Sequence, residues 1–305
     1  VIYEAKKYKM YRKANIEGGI VLHFWIINRV RLATVVCLIA VALLCLPMAR
    51  KSQMTVGEEG VLLPIVMYHH VLKDTKALGK FVISPQELEA DLQYLNENGY
   101  QSVSVEQVTA FVQNGAALPE KPIMLTFDDG YLSFAEYVLP LLEKYNQCAV
   151  LSVIGAYSDT YSQKEDRNVA YAHVTWEDIK ALADSGRVEI ENHTYNLHTI
   201  DARKGSMKKK GESTEGYQTM LQEDLRKNQD LIIQATGKAP VCYTYPYGFM
   251  SQEAQPVLEE LGFVMSLSCN EGASRITRDE ACLFGLRRCN RPHGKGITEA
   301  LKQAK

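Results

Sequence analysis

The sequence predicts an α/β protein with a mostly parallel sheet, curled into a closed or nearly closed barrel and preceded by one apolar N-terminal segment. Three observations carry this expectation. Short apolar runs alternate with capped helical segments from residue 61 to the end, 46% of the 305 residues are hydrophobic, and 23% are charged, so there is ample material for a large core. A doubly wound open sheet is the alternative, but it normally carries a glycine-rich loop after its first strand, and no such motif is present.

The N-terminal part divides into residues 1–31, 32–49 and 50–60. Leu32 to Ala49 contains no charged residue and is preceded by Arg29 and Arg31, with Arg50 and Lys51 behind it. It is long for a signal-peptide core and just long enough to span a bilayer, and the excess of positive residues on its N-terminal side favours that side staying in the cytoplasm. The expectation is a single-pass anchor in the cell membrane with residues 61–305 as an extracytoplasmic domain, or a secreted domain if the segment is cleaved. Residues 1–31 read as a cytoplasmic tail. The chain opens with Val, and Glu17-Gly18-Gly19 is what a purine-rich ribosome-binding sequence would encode, so a later natural start is also expected. Residues 53–60 read as a polar linker.

Leu62 to Tyr68 reads as a buried strand. Ser84-Pro85-Gln86-Glu87 is a capping box with Pro at the first helical position, opening a helix with Leu88, Leu92 and Leu95 on one face. A second helix starts at Ser104 and stops near Gly115. Strand Pro122–Phe127, a helix over 132–145 and strand Ala149–Ile154 follow. Thr175 caps the next helix, Val188–Ile190 is a strand, and a long helix over 217–236 ends at Gly237. Strand 241–245, helix 252–261, strand 263–268 and a last strand near 285–288 complete the series.

A net charge of -2 gives no basic field that would draw the chain onto nucleic acid, and no protein partner is evident. Seven cysteines occur without any CxxC pair, which excludes a zinc ribbon. Cys282 and Cys289 either pair or remain free thiols.

Reactive residues of parallel α/β folds sit beyond the C-terminal ends of strands. Strand 122–127 ends in Asp128-Asp129-Gly130-Tyr131. Two adjacent carboxylates are costly unless a positive group or metal lies near them, although such a stretch is also an ordinary solvated turn. The strand at 188–192 ends in His193 and His198. Positions five apart do not share a helix face, so these imidazoles must converge through an irregular turn. With only seven histidines in the chain, that clustering is informative. One carboxylate and two imidazoles make a three-ligand set for a catalytic divalent ion, with zinc the first choice, and the other carboxylate is free to act as general base.

These residues resemble the polysaccharide deacetylases with the NodB-homology domain, carbohydrate esterase family four, from about Leu62 to the C-terminus. In the motif Thr126-Phe127-Asp128-Asp129-Gly130, the resemblance makes Asp128 the base and Asp129 a metal ligand. The five-residue histidine spacing, Met67-Tyr68-His69-His70 and Tyr245-Pro246-Tyr247-Gly248 are similar to the poly-N-acetylglucosamine deacetylase subgroup. The resemblance implies a distorted (β/α) barrel of seven strands, His293 as general acid, and an acetylated amino-sugar polysaccharide as substrate. Tyr131, Tyr245, Pro246, Tyr247 and His69 are the expected substrate-binding residues. The chain departs from the family at Thr244, where many members carry an Arg that pairs with the catalytic Asp. Arg288 and Arg291 are the candidates to replace it, and either is equally readable as a surface charge. The rival readings are an esterase acting on O-acetylated glycans through the same site and a non-catalytic glycan-binding protein of the cell envelope.

Overall fold

The computed structural model describes residues 60–164 and 166–304. The tail, the apolar segment 32–49 and the linker up to residue 59 lie outside the described residues. No helix among the described residues is long and apolar enough to cross a membrane.

Pro64 divides the first apolar run, because its ring removes the N–H that a continuous ladder needs. Strand β1 (Val61–Leu63) precedes it and β2 (Ile65–Tyr68) follows, where a single strand was expected. Next come β3 (His70–Val71), β4 (Val82–Ile83), α1 (Pro85–Glu97), β5 (Gln101–Ser102), α2 (Val105–Asn114) and β6 (Pro122–Phe127). The capping boxes read at Ser84 and Ser104 are both formed, with Glu87 and Gln107 as reciprocal partners. The helix expected over 132–145 starts as a π turn at Phe134–Val138 and continues as α3 (Leu139–Lys144). Pro140 lacks an N–H, and the Leu139 N–H reaches back five residues to the Phe134 carbonyl.

Strand β7 (Ala149–Val153), α4 (Gly155–Ser162), α5 (Trp176–Asp184), β8 (Val188–Asn192), α6 (Thr214–Thr236), β9 (Cys242–Thr244), α7 (Gln255–Glu260), β10 (Met265–Leu267), β11 (Ser274–Ile276), β12 (Cys289–Asn290) and α8 (Ile297–Gln303) complete the order. Helices α4 and α8 were not anticipated. The last strand lies at Cys289–Asn290 rather than near 285–288, where only Leu286 forms a bridge. Cys282 and Cys289 are both free thiols.

The main sheet is parallel in the order β10-β9-β8-β7-β6-β2-β12, with β5 added against β6. It curls, and an isolated bridge joins Leu267 of β10 to Leu286 on the segment that leads into β12. This curled parallel sheet fits the distorted barrel that the resemblance implies. The two-residue period of the strands sorts its contents. Ile123, Leu125 and Phe127 of β6 face outward into a core shared with Leu88, Leu92 and Leu95 of α1. Met124, Val150, Cys242 and Met265 face a second apolar cluster that Val105, Val108 and Phe111 of α2 complete. Along β6, the residues that alternate with the outward set are Met124, Thr126 and then Asp128, so a buried apolar position gives way to a buried polar one toward the strand's C-terminal end.

Candidate active site

The site sits where β2, β6, β8 and β9 end. Its backbone is held in unfavourable conformations. Four non-glycine residues among those described have positive φ, and three of them lie here: Asp129 at 73°, Thr194 at 74° and Tyr247 at 57°. Each costs on the order of 1–2 kcal/mol, so the surrounding contacts must fix them.

At the end of β6, the Asp128 N–H donates to the Tyr68 carbonyl, which extends the pairing with β2 by one residue and buries the Asp128 side chain. Arg288 meets it end-on, donating 2.7 Å and 2.8 Å bonds to the two carboxylate oxygens. Both side chains are buried, at 0% and 3% exposure. Burial alone would raise the Asp128 carboxyl, but the Arg288 guanidinium outweighs it and the net shift is downward. Arg288 is thus the group that stands in for the arginine missing at Thr244. Arg291 instead pairs with Asp91 and anchors α1.

Asp129 and Gly130, both left-handed, turn the chain sharply so that the second carboxylate faces the opposite side. Its Oδ1 lies 3.4 Å from His193 Nε2 and 3.2 Å from His198 Nε2. The irregular turn that the histidine spacing demands is built by α6 and β8. The Asn192 side chain accepts from the Thr194 N–H, and Asp224 accepts from the N–H groups of Tyr195 and Asn196 at 2.8 Å and 2.9 Å. His193 Nδ1 donates to the Thr244 carbonyl at 2.8 Å, and His198 Nδ1 pairs with the Tyr247 hydroxyl at 3.1 Å. Both imidazoles therefore turn Nε2 inward, the orientation that metal-ligating histidines acquire from such outer partners.

Asp129, His193 and His198 fit a divalent ion. Their donor atoms lie within 4.8 Å of one another, and Asp129 Oδ1 is buried without a hydrogen-bond partner. Burial raises the Asp129 carboxyl, yet the two imidazoles pull it well below the carboxylate range. The donor set of one oxygen and two nitrogens suits zinc and its neighbours, with room for further ligands.

The cleft in front of these residues has a volume of about 440 Å3 and is lined by His69, Asp128, Asp129, Tyr131 and Tyr247 among others. His69 follows directly after β2 and continues the alternation that carries Ile65 and Met67, four and two residues earlier. Its Nδ1 has no hydrogen-bond partner among the described residues, and burial lowers its pKa against the pull of the two aspartates. The sequence reading placed it only as a substrate contact. Its period-two spacing along β2 was the signal for a place inside the barrel mouth.

Three expectations do not hold. His293 lies at the surface, with Nδ1 2.9 Å from Glu87 Oε2 near the start of α1, because Arg291 turns inward to Asp91 and the Pro292–Gly294 turn carries His293 outward. It does not reach the cleft. Tyr245 is 2% exposed and packs edge-on against Tyr243 in an apolar cluster of its own. Pro246 is buried as well and contributes the bend that lets Tyr247 face the cleft.

A family model described as polysaccharide deacetylase matches residues 115–266. The chain is 29% identical over 229 residues to the poly-β-1,6-N-acetyl-D-glucosamine N-deacetylase of Escherichia coli K12, a match covering 68% of this chain and 34% of that protein. It thus spans about a third of the length of that relative. Among solved structures, a de-N-acetylase from Aggregatibacter actinomycetemcomitans is 26% identical with a TM-score of 0.68, covering 80% of this chain and 100% of that one. IcaB from Ammonifex degensii is 26% identical with a TM-score of 0.61, covering 75% and 92% respectively.

Proposed function

Because this chain belongs to the polysaccharide deacetylases, with its NodB-type motifs in place, we propose that it hydrolyses N-acetyl groups from a polymer of N-acetylglucosamine, releasing acetate and leaving free amines. The observation that carries this reading is the division of labour between the two aspartates. Asp129 turns toward two imidazoles, while Asp128 turns away from them onto Arg288.

Asp129, His193 and His198 would hold a divalent ion, zinc by preference, which would supply the Lewis acidity for activating water and polarising the acetamide carbonyl. Asp128 accepts the proton that the attacking water loses. Arg288 keeps that carboxylate ionised and fixes its plane, so its remaining lone pairs face the cleft. His69 is placed to relay to the departing amine the proton that Asp128 takes up from the water, since its Nδ1 is uncommitted and its ring lies beside both aspartates. Tyr131 and Tyr247 flank the reacting group and shape the mouth of the cleft. The uncharged segment 32–49 supports a membrane anchor, with this domain acting on polymer outside the cell.

The test is acetate release from N-acetylglucosamine oligosaccharides by the metal-loaded protein and by Asp128→Asn. The variant is expected to bind metal as the wild type does and to lose roughly 10²–10⁴-fold in rate, the usual contribution of a positioned base. Wild-type rates in Asp128→Asn would remove Asp128 from that role, and no acetate release by the metal-loaded wild type would remove the function.

A further inference from the structure

The cleft continues past the metal-ligating residues into a second hollow of about 520 Å3, on the side of α4. The two share Asp129, Tyr131, His198 and Tyr247. Beyond these, the hollow is walled by Tyr157, Thr160, Tyr161 and His173. Tyr157 and Tyr161 stand four residues apart on α4, which starts two residues after β7 ends and so rises from the same rim as the catalytic groups. Neither ring belongs to any of the three apolar clusters among the described residues, so core packing does not account for them.

Tyr157 is 37% exposed, and its hydroxyl makes no hydrogen bond within the described residues. His173 ties this wall to the catalytic centre. Its ring lies 4.6 Å from Tyr131 and 4.5 Å from Tyr157, and its Nδ1 donates to the Asp129 carbonyl at 2.9 Å. The wall is therefore in fixed register with the carboxylate that holds the metal. Through a different set of lining residues, Lys80, Glu271 and Asn290, the cleft also opens into a further polar hollow. A linear polymer can enter by one hollow and leave by the other, which places a neighbouring residue beside Tyr157 whenever an interior residue is at the centre. The Tyr161 hydroxyl donates to the Tyr171 carbonyl at 3.4 Å, which leaves the Tyr157 hydroxyl as the uncommitted one. Flat aromatic faces with a hydroxyl group at their edge match a pyranose ring, which has an apolar face and a polar rim.

We propose that Tyr157 and Tyr161 form a sugar-binding subsite that stacks the residue adjoining the one being deacetylated, and so make the enzyme selective for chains over small acetyl compounds. This rests on the deacetylase reading above.

The experiment compares kcat/KM on a β-1,6-linked N-acetylglucosamine pentasaccharide with kcat/KM on p-nitrophenyl acetate, which carries no adjoining sugar to stack in the hollow, using the full chain loaded with zinc. In Tyr157→Ala and Tyr161→Ala, the ratio of the two is expected to fall roughly tenfold, the equivalent of one lost aromatic contact. Tyr157→Phe is expected to keep most of the ratio, because the stacking face remains. The ratio is insensitive to a general loss of folded enzyme, which lowers both activities together. A wild-type ratio in both alanine variants would overturn the subsite while leaving the deacetylase reading intact. Ester hydrolysis without any release of acetate from the pentasaccharide by the wild type would overturn the deacetylase reading and the subsite with it.

Discussion

Replacing Arg288 by Met leaves the Asp128 carboxylate buried with no counter-charge, and the cost follows from what is lost. Two charge-assisted bonds of 2.7 Å and 2.8 Å disappear, together with the 2.8 Å bond to the Ser268 carbonyl and the 3.2 Å bond to the Thr126 hydroxyl. Breaking a buried pair by removing one partner costs about 3–5 kcal/mol, a large part of the net ~5–15 kcal/mol that holds a domain together. For a domain of this size, that is a drop in Tm of roughly 6–20 °C. The Asp128 carboxyl should also rise, since burial is then opposed by fewer charges. The companion variant Arg288→Met/Asp128→Leu removes both charges and replaces them with apolar volume. It is expected to recover most of the lost stability and none of the hydrolysis, because desolvation of the unpaired carboxylate, not the absence of the salt bridge, dominates the loss. Chemical denaturation of the wild type, both single variants and the double variant completes the cycle. An Arg288→Met protein within ~1 kcal/mol of the wild type, or a double variant as unstable as the single, would refute this reasoning.

Three further outcomes are expected. Asp129→Ala should reduce bound metal to background after gel filtration, where Asp128→Asn retains it, and metal analysis distinguishes the two; equal metal content would remove Asp129 from the ligand set. Burial lifts the Asp224 carboxyl to about 6, above its ordinary 3.8, against the Asn196 and Tyr195 N–H groups that lower it. The folded state therefore binds this proton more tightly than the unfolded chain. The associated stability is fully present below about pH 4 and is lost as pH rises through 6, up to about 3 kcal/mol over that window. Denaturation at pH 4 and pH 7 should show the wild type losing that amount relative to Asp224→Asn, and a pH-independent difference would count against it. Gly155→Ala should destabilise by about 1–3 kcal/mol, because a Cβ there runs into the Asn228 carboxamide and lies 2.7 Å from Tyr195 Cδ2, next to the histidine turn. A denaturation midpoint equal to the wild type's would show that the turn gives way freely.

The sequence by itself determined whatever is local. The capping boxes at Ser84 and Ser104 follow from residues three apart, and the double aspartate and the paired histidines each lie within a few residues of a strand end. Parallel strands put such ends on one rim, so Asp129, His193 and His198 could be named together without coordinates. The tertiary structure decided what depends on distant pairing. Arg288 meets Asp128 across 160 residues because β12 closes the sheet against β2 and presses the preceding segment onto β6's end. The same closure sends Arg291 to Asp91 and His293 out to Glu87, so two arginines and a histidine within six positions acquire three different roles. Tyr245 and Tyr247 are separated in the same way, one buried and one at the cleft, by a bend at Pro246 and a positive φ at Tyr247 that no residue pattern announces. Local hydrogen bonds and period were legible in the chain; which charge faces which was settled only by the order and register of the strands.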